Sequence, residues 1–155
     1  MREEHGSLKE RLAGEMRAAM KERDAVRLGA LRLLTAAVKN REVELRHPLS
    51  DEEFIEVATR EVKRRREAIE AYEKAGREDR ASTEREEQRV LESYLPAALS
   101  EEDLGALIDE GLEATGASGP GDLGKVMGFV MGKAKGRVDG KAVQARVRER
   151  LNQKV

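Results

Sequence analysis

The chain has 155 residues, with 30 Lys and Arg against 31 Asp and Glu, and no cysteine or tryptophan. Without cysteine there is no disulfide framework, thiol nucleophile or thiolate metal site, which favours a reducing, cytoplasmic setting. The formal net charge of −1 argues against a whole-chain polycation, and no apolar run approaches the roughly 20 residues of a membrane span.

Charged residues make up 39% of the chain and aromatic residues 3%, a balance that raises the question of disorder. The signs cancel, however, and Ala, Leu, Glu, Arg and Lys dominate while strand-favouring residues are scarce. The expectation is an all-α protein with an N-terminal domain of about four helices (1–95) and a small C-terminal three-helix bundle (96–155).

The N-terminal six residues lack the apolar stretch of a signal peptide. Ser7-Leu8-Lys9-Glu10 reads as a capping box, followed by an apolar stripe of Leu8, Leu12, Met16, Ala19 and Met20 at helical spacing. Asp24 caps a second helix with inward Leu28, Leu31, Leu34 and Val38, thickened by Ala30, Leu33 and Ala37, that fades near Leu45 before His47-Pro48. Ser50-Asp51-Glu52-Glu53 is a second capping box, opening a long helix that carries Phe54, Ile55, Ala58, Val62, Ile69 and Tyr72 and ends at Gly76. From Asp79 to Tyr94 the charge is dense and the apolar face thin, so its first half is expected to be exposed or held only by a neighbour. Leu95-Pro96-Ala97-Ala98-Leu99 breaks the chain before a fresh N-cap at Ser100. Three further helices follow, over about 100–115, 122–135 and 139–152.

Charge resolved by segment is more informative than its total. Residues 96–120 hold six acids and no Lys or Arg, whereas residues 121–155 hold nine bases against three acids, a local charge of +6. Gly119 to Lys125 has the glycine and lysine spacing of a phosphate-binding P-loop, but Val126 stands where a magnesium-binding hydroxyl belongs and no strand precedes the loop. His5 and His47 are isolated, and a metal site needs three or four convergent ligands. Adjacent acid pairs such as Glu52-Glu53, Glu86-Glu87 and Glu101-Glu102 point about 100° apart on a helix and form no catalytic dyad. No catalytic residue, metal or cofactor is assigned.

Two basic stretches remain. Lys63-Arg64-Arg65-Arg66 has Glu61, Glu67 and Glu70 within one turn and reads mainly as a solvated, salt-bridged face. The C-terminal cluster has few acids within a turn. Gly128 and Gly132 lie on one face of its helix, suited equally to close helix packing or to close approach of a nucleic-acid backbone. The expected phosphate contacts are Lys125, Lys133, Lys135, Arg137, Lys141 and Arg146.

Three strings, Tyr94-Leu95-Pro96-Ala97-Ala98-Leu99-Ser100, Gly124-Lys125-Val126-Met127-Gly128 and Lys135 to Val143, resemble the GatB/YqeY family, as do Arg41 to Glu44 and Arg65 to Asp79 in the N-terminal half. The similarity runs from about Ser7 to Leu151 and is to stand-alone YqeY members rather than to a complete GatB subunit. It implies two helical domains, the second similar to the tail of the B subunit of glutamyl-/aspartyl-tRNA amidotransferase, which contacts tRNA. By that resemblance the stretch from Lys125 to Lys141 faces tRNA. The family's amidotransferase label, carbon–nitrogen ligation with glutamine as amide donor, belongs to a larger catalytic module to which nothing here corresponds. The expected function is a non-catalytic tRNA- or structured-RNA-binding accessory protein acting with an aminoacyl-tRNA synthetase or amidotransferase complex. The alternatives are a protein–protein adaptor, motivated by the thin apolar face at Asp79–Gln88, and a true amidotransferase activity.

Overall fold

The computed structural model describes residues 7–153, and these form seven α-helices and one 3₁₀ turn joined by short loops, with no strand among them. The chain divides into two compact units between Leu95 and Pro96.

The first unit holds α1 (Ser7–Glu22), α2 (Ala25–Leu45), α3 (Asp51–Lys74) and α4 (Glu78–Glu92). α1 starts at Ser7; the side chain on which the expected capping box there depends, like His5, lies outside the described residues, and the N–H of Leu8 donates to Asp51 of α3 at 3.1 Å. Asp24 caps α2 by accepting from the Arg27 N–H at 3.1 Å. At α3 the capping box forms fully. Ser50 Oγ accepts from the Glu53 N–H, and Glu53 Oε1 accepts from the Ser50 N–H at 2.9 Å. The helix ends in a Schellman turn. Gly76 sits at φ +72°, its N–H donating to Glu73 O and the Arg77 N–H to Tyr72 O, a left-handed position that suits glycine because it lacks Cβ.

The core of this unit joins Leu12, Ala30, Leu31, Leu34, Val38, Leu49, Phe54, Val57, Ala58, Val62, Leu91 and Tyr94. Two residues expected to face inward are exposed instead: Met20 is 55% exposed and Leu33 43% exposed. Each follows a fully buried neighbour, Ala19 or precedes one, Leu34, and adjacent helical positions point about 100° apart, so both cannot face inward. Buried Tyr94 packs against Phe54 with ring centroids 5.7 Å apart, lies under the Arg11 guanidinium, and donates its hydroxyl to Glu15.

α4 is held by α3. Ala81 and Leu91 are fully buried, and between them Arg65 reaches across from α3 to Glu84 at 3.4 Å and Glu87 at 3.6 Å. This departs from the expected pairing of the basic run along α3 itself, which holds for Arg64 with Glu61 at 3.3 Å. Arg65 lies on the edge of α3 that α4 covers, its side chain only 14% exposed. Burial and the neighbouring Glu84 push the Glu87 carboxyl above its ordinary value, with Arg65 pulling the other way.

The second unit holds α5 (Glu101–Thr115), a single 3₁₀ turn (Pro120–Asp122), α6 (Leu123–Ala134) and α7 (Gly140–Asn152). Ser100 caps α5 through the Asp103 N–H at 3.0 Å, and Asp139 caps α7 through the Lys141 N–H at 3.2 Å. Leu104, Ile108, Leu112, Val126, Val130, Val143, Val147 and Leu151 close the core. α5 and α6 cross closely at Gly111, where an added Cβ would lie 3.1 Å from Phe129 and 3.3 Å from Val130. No described helix is long and apolar enough to cross a membrane.

Candidate nucleic-acid interface

The loop before α6 is not a phosphate cradle. Asp122 occupies its mouth, accepting from the Ser118 N–H at 2.9 Å, and that bond is the main cause holding its carboxyl below the ordinary range. Lys125 Nζ stands 3.7 Å from the same carboxylate. A phosphate placed there would meet a fixed negative charge.

α6 turns its core face through Val126, Val130 and Ala134. Helical periodicity then places Gly124, Lys125, Gly128 and Gly132 on the opposite side, where all four are exposed. A Cβ added at Gly124, Gly128 or Gly132 would meet no atom within 4 Å apart from its chain neighbours and the backbone of its own helix. Of the two readings of these glycines, close packing within the unit therefore belongs to Gly111 on α5 instead.

The six expected phosphate contacts fall into different settings. Lys125 is outward on α6, its side chain 69% exposed. Lys133 lies on the α5 flank of α6, with Nζ 3.0 Å from Glu110 and 5.1 Å from the centre of the Phe129 ring. Lys135 ends α6 in the left-handed region at φ +35°, followed by Gly136 at φ +82°, which turns the chain sharply. Arg137 is used as a latch: its Nε donates to Ala97 O at 2.9 Å, and its own carbonyl accepts from the Leu99 N–H at 2.9 Å. Lys141 is exposed in the first turn of α7. Arg146 lies on the α5 flank of α7, with Nη1 3.0 Å from Glu101. Its guanidinium is packed against α5 where Gly105 leaves room, since a Cβ there would come within 3.3 Å.

Lys125 and Lys141 thus face outward, whereas Lys133 and Arg146 are turned toward the acidic helix and Arg137 toward the backbone of residues 97–99. The sequence reading omitted two bases of α7. Arg148 is exposed on the same side of α7 as Lys141, seven positions away, without an acidic partner among the described residues. Arg150 pairs with Asp109 at 2.5 Å. Both were visible in the charge of residues 121–155, and the heptad-like spacing from Lys141 to Arg148 was the available signal.

A mitochondrial protein of Eremothecium gossypii, altered inheritance of mitochondria protein 41, is 31% identical over 101 residues, which are 63% of this chain and 55% of that protein. The chain thus spans about half the length of this curated relative. The family model described as Yqey-like protein matches residues 9–151, nearly the whole sequence. The chain belongs to the Yqey-like protein family.

Proposed function

We propose that the chain is a non-catalytic RNA-binding accessory protein, and that its second unit contacts tRNA or another structured RNA through the outward faces of α6 and α7. The observation that carries the reading is the outward face of α6. Glycine inside a helix costs up to about 1 kcal/mol relative to alanine. Gly128 and Gly132 stand in α6 with open space where a side chain would project, so packing within the unit gives no return for that cost. A backbone approaching from outside would benefit from the bare surface, and Lys125, Lys141 and Arg148 lie on the outward sides of the same two helices. Lys133, Lys135, Arg137 and Arg146 form the second tier, reached once their present contacts open. Partners that handle tRNA, such as an aminoacyl-tRNA synthetase or an amidotransferase complex, fit this reading. The adaptor alternative loses its motivating feature, because α3 covers the thin face of α4 within the chain.

Binding of fluorescein-labelled tRNA, followed by anisotropy across a salt series, tests the proposal. Three phosphate contacts give a slope of log K against log salt of about −2 to −3. Changing Lys125, Lys141 and Arg148 together to Glu should abolish binding while leaving the helical signal in circular dichroism intact. Equal binding by that variant, or no binding by the unaltered protein at low salt, refutes it.

A further inference from the structure

Six acids on one helix followed by a basic pair of helices could be three independent surfaces, but the side chains interlock. Asp109 and Glu110 are adjacent on α5 and reach in different directions, Asp109 to Arg150 of α7 at 2.5 Å and Glu110 to Lys133 of α6 at 3.0 Å. Glu101 adds a third bridge to Arg146 of α7 at 3.0 Å, over the space left by Gly105. Half of the bases that residues 121–153 place on α6 and α7 are therefore already facing carboxylates of α5.

Resting on the RNA reading above, we propose that Asp109 and Glu110, with Glu101, are an internal counter-anion that competes with RNA phosphates, and so set the phosphate density and salt range at which the second unit accepts a polyanion. The three acids are more than half exposed, and solvated ion pairs of this kind hold weakly. A phosphate array offers the arginines bidentate, charge-assisted bonds and releases condensed cations as it binds. Each base that transfers to a phosphate leaves a carboxylate behind, and that carboxylate recruits a cation from solution. Cation uptake at α5 offsets cation release from the RNA, so the salt dependence is shallower than the number of phosphate contacts would give. Sparse or isolated phosphates do not repay the exchange, whereas a compact, folded RNA engages the outward bases first and then displaces the pairs.

Two double variants separate exchange from simple net charge. D109N/E110Q removes two bridging acids; E102Q/E113Q removes two exposed acids of the same helix that bridge to neither α6 nor α7 among the described residues. Both raise the charge by two, and the long-range part of their effect is screened beyond a distance of about 8–10 Å. With fluorescein-labelled tRNA between about 50 and 200 mM salt, D109N/E110Q should bind roughly five- to twentyfold tighter than the unaltered protein, with a slope steeper by about 1.4–1.8. E102Q/E113Q should gain no more than about twofold, with its slope unchanged. Circular dichroism confirms that each variant keeps its helices. Equal gains from the two variants overturn the proposal, because α5 would then act through total charge alone. An unchanged D109N/E110Q, in a protein whose tRNA binding is abolished by K125E/K141E/R148E, overturns it and leaves the RNA interface standing. Absence of binding by every form removes the RNA reading itself, and this inference with it.

Discussion

Replacing Gly128 by alanine isolates the question of what the outward face of α6 is for. Gly128 lies mid-helix at an ordinary helical φ, and its new Cβ would meet nothing within 4 Å. The substitution therefore adds no clash and restores the helix propensity that glycine forfeits, about 1 kcal/mol. For a unit the size of Pro96–Val155 that is a rise in melting temperature of roughly 4–8 °C. Gly111→Ala supplies the contrast. The same propensity gain is opposed there by a Cβ placed 3.1 Å from Phe129 and 3.3 Å from Val130, and overpacking of that kind costs about 1–3 kcal/mol. The expected net change at Gly111 runs from about zero to a loss of about 2 kcal/mol. Thermal melts by far-ultraviolet circular dichroism read the two, and tyrosine fluorescence acts as an internal control, since Tyr72 and Tyr94 both belong to the first unit. On the RNA side the order reverses: Gly128→Ala should weaken tRNA binding severalfold although the protein is more stable. A neutral or destabilising Gly128→Ala would refute the open-face argument, because it would mean that something within the chain already uses the bare backbone.

Two further predictions concern the first unit. Ser50→Ala removes the acceptor for the Glu53 N–H and half of the capping box, and should lower stability by about 1 kcal/mol in chemical denaturation; Ser50→Asp, which keeps an acceptor, should recover most of it. Glu87→Gln tests the Arg65 cluster: the Glu87 carboxyl is raised above its unfolded value of 4.5, so the folded state holds its proton more tightly and the ionised form is a destabilising presence above the raised value. The glutamine variant should accordingly be more stable than the parent at pH 7, and that advantage should shrink as the pH falls through the raised value towards 4.5; an advantage that grows on acidification would show that Arg65, not Glu84 and burial, dominates.

The parts of the fold that follow from local chemistry were legible. Asp24, Ser50 and Ser100 each satisfy a free N–H within three residues, so a cap written in the sequence is a cap in the structure. The inward faces carried by Leu31, Leu34, Phe54, Val62, Val126 and Val130 follow from the helical period. Met20 and Leu33 went astray because an apolar residue beside a buried one widens a stripe on paper, while the neighbouring helix covers only part of its circumference. The candidate interface was legible as a set of charges and opaque as a surface. Lys125 and Lys133 lie on one helix eight positions apart, yet only one of them points away from α5, and that direction depends on which flank α5 occupies.

Charge pairing shows the same limit and explains why the net charge said so little. Spacing of three or four residues suggested that the basic run Lys63–Arg66 is neutralised along its own helix, and Arg64 with Glu61 obeys. Arg65, at the covered edge of α3, takes its carboxylates from α4, some twenty residues on in sequence. Lys133, Arg146 and Arg150 likewise take theirs from α5. A base on a flank between two packed helices is nearer to the neighbour's side chains than to those a turn away, so its partner is fixed by which helices adjoin, and no local window contains that information. Segregating the acids on α5 and the bases on α6 and α7 therefore does two things at once. It ties the three helices of a small bundle together through exchangeable contacts, and it leaves Lys125, Lys141 and Arg148 on the outward sides of α6 and α7. On the proposed RNA reading, the surface that RNA meets first is set by what α5 does not reach, a property of the packing that neither the total charge of −1 nor the local +6 expresses.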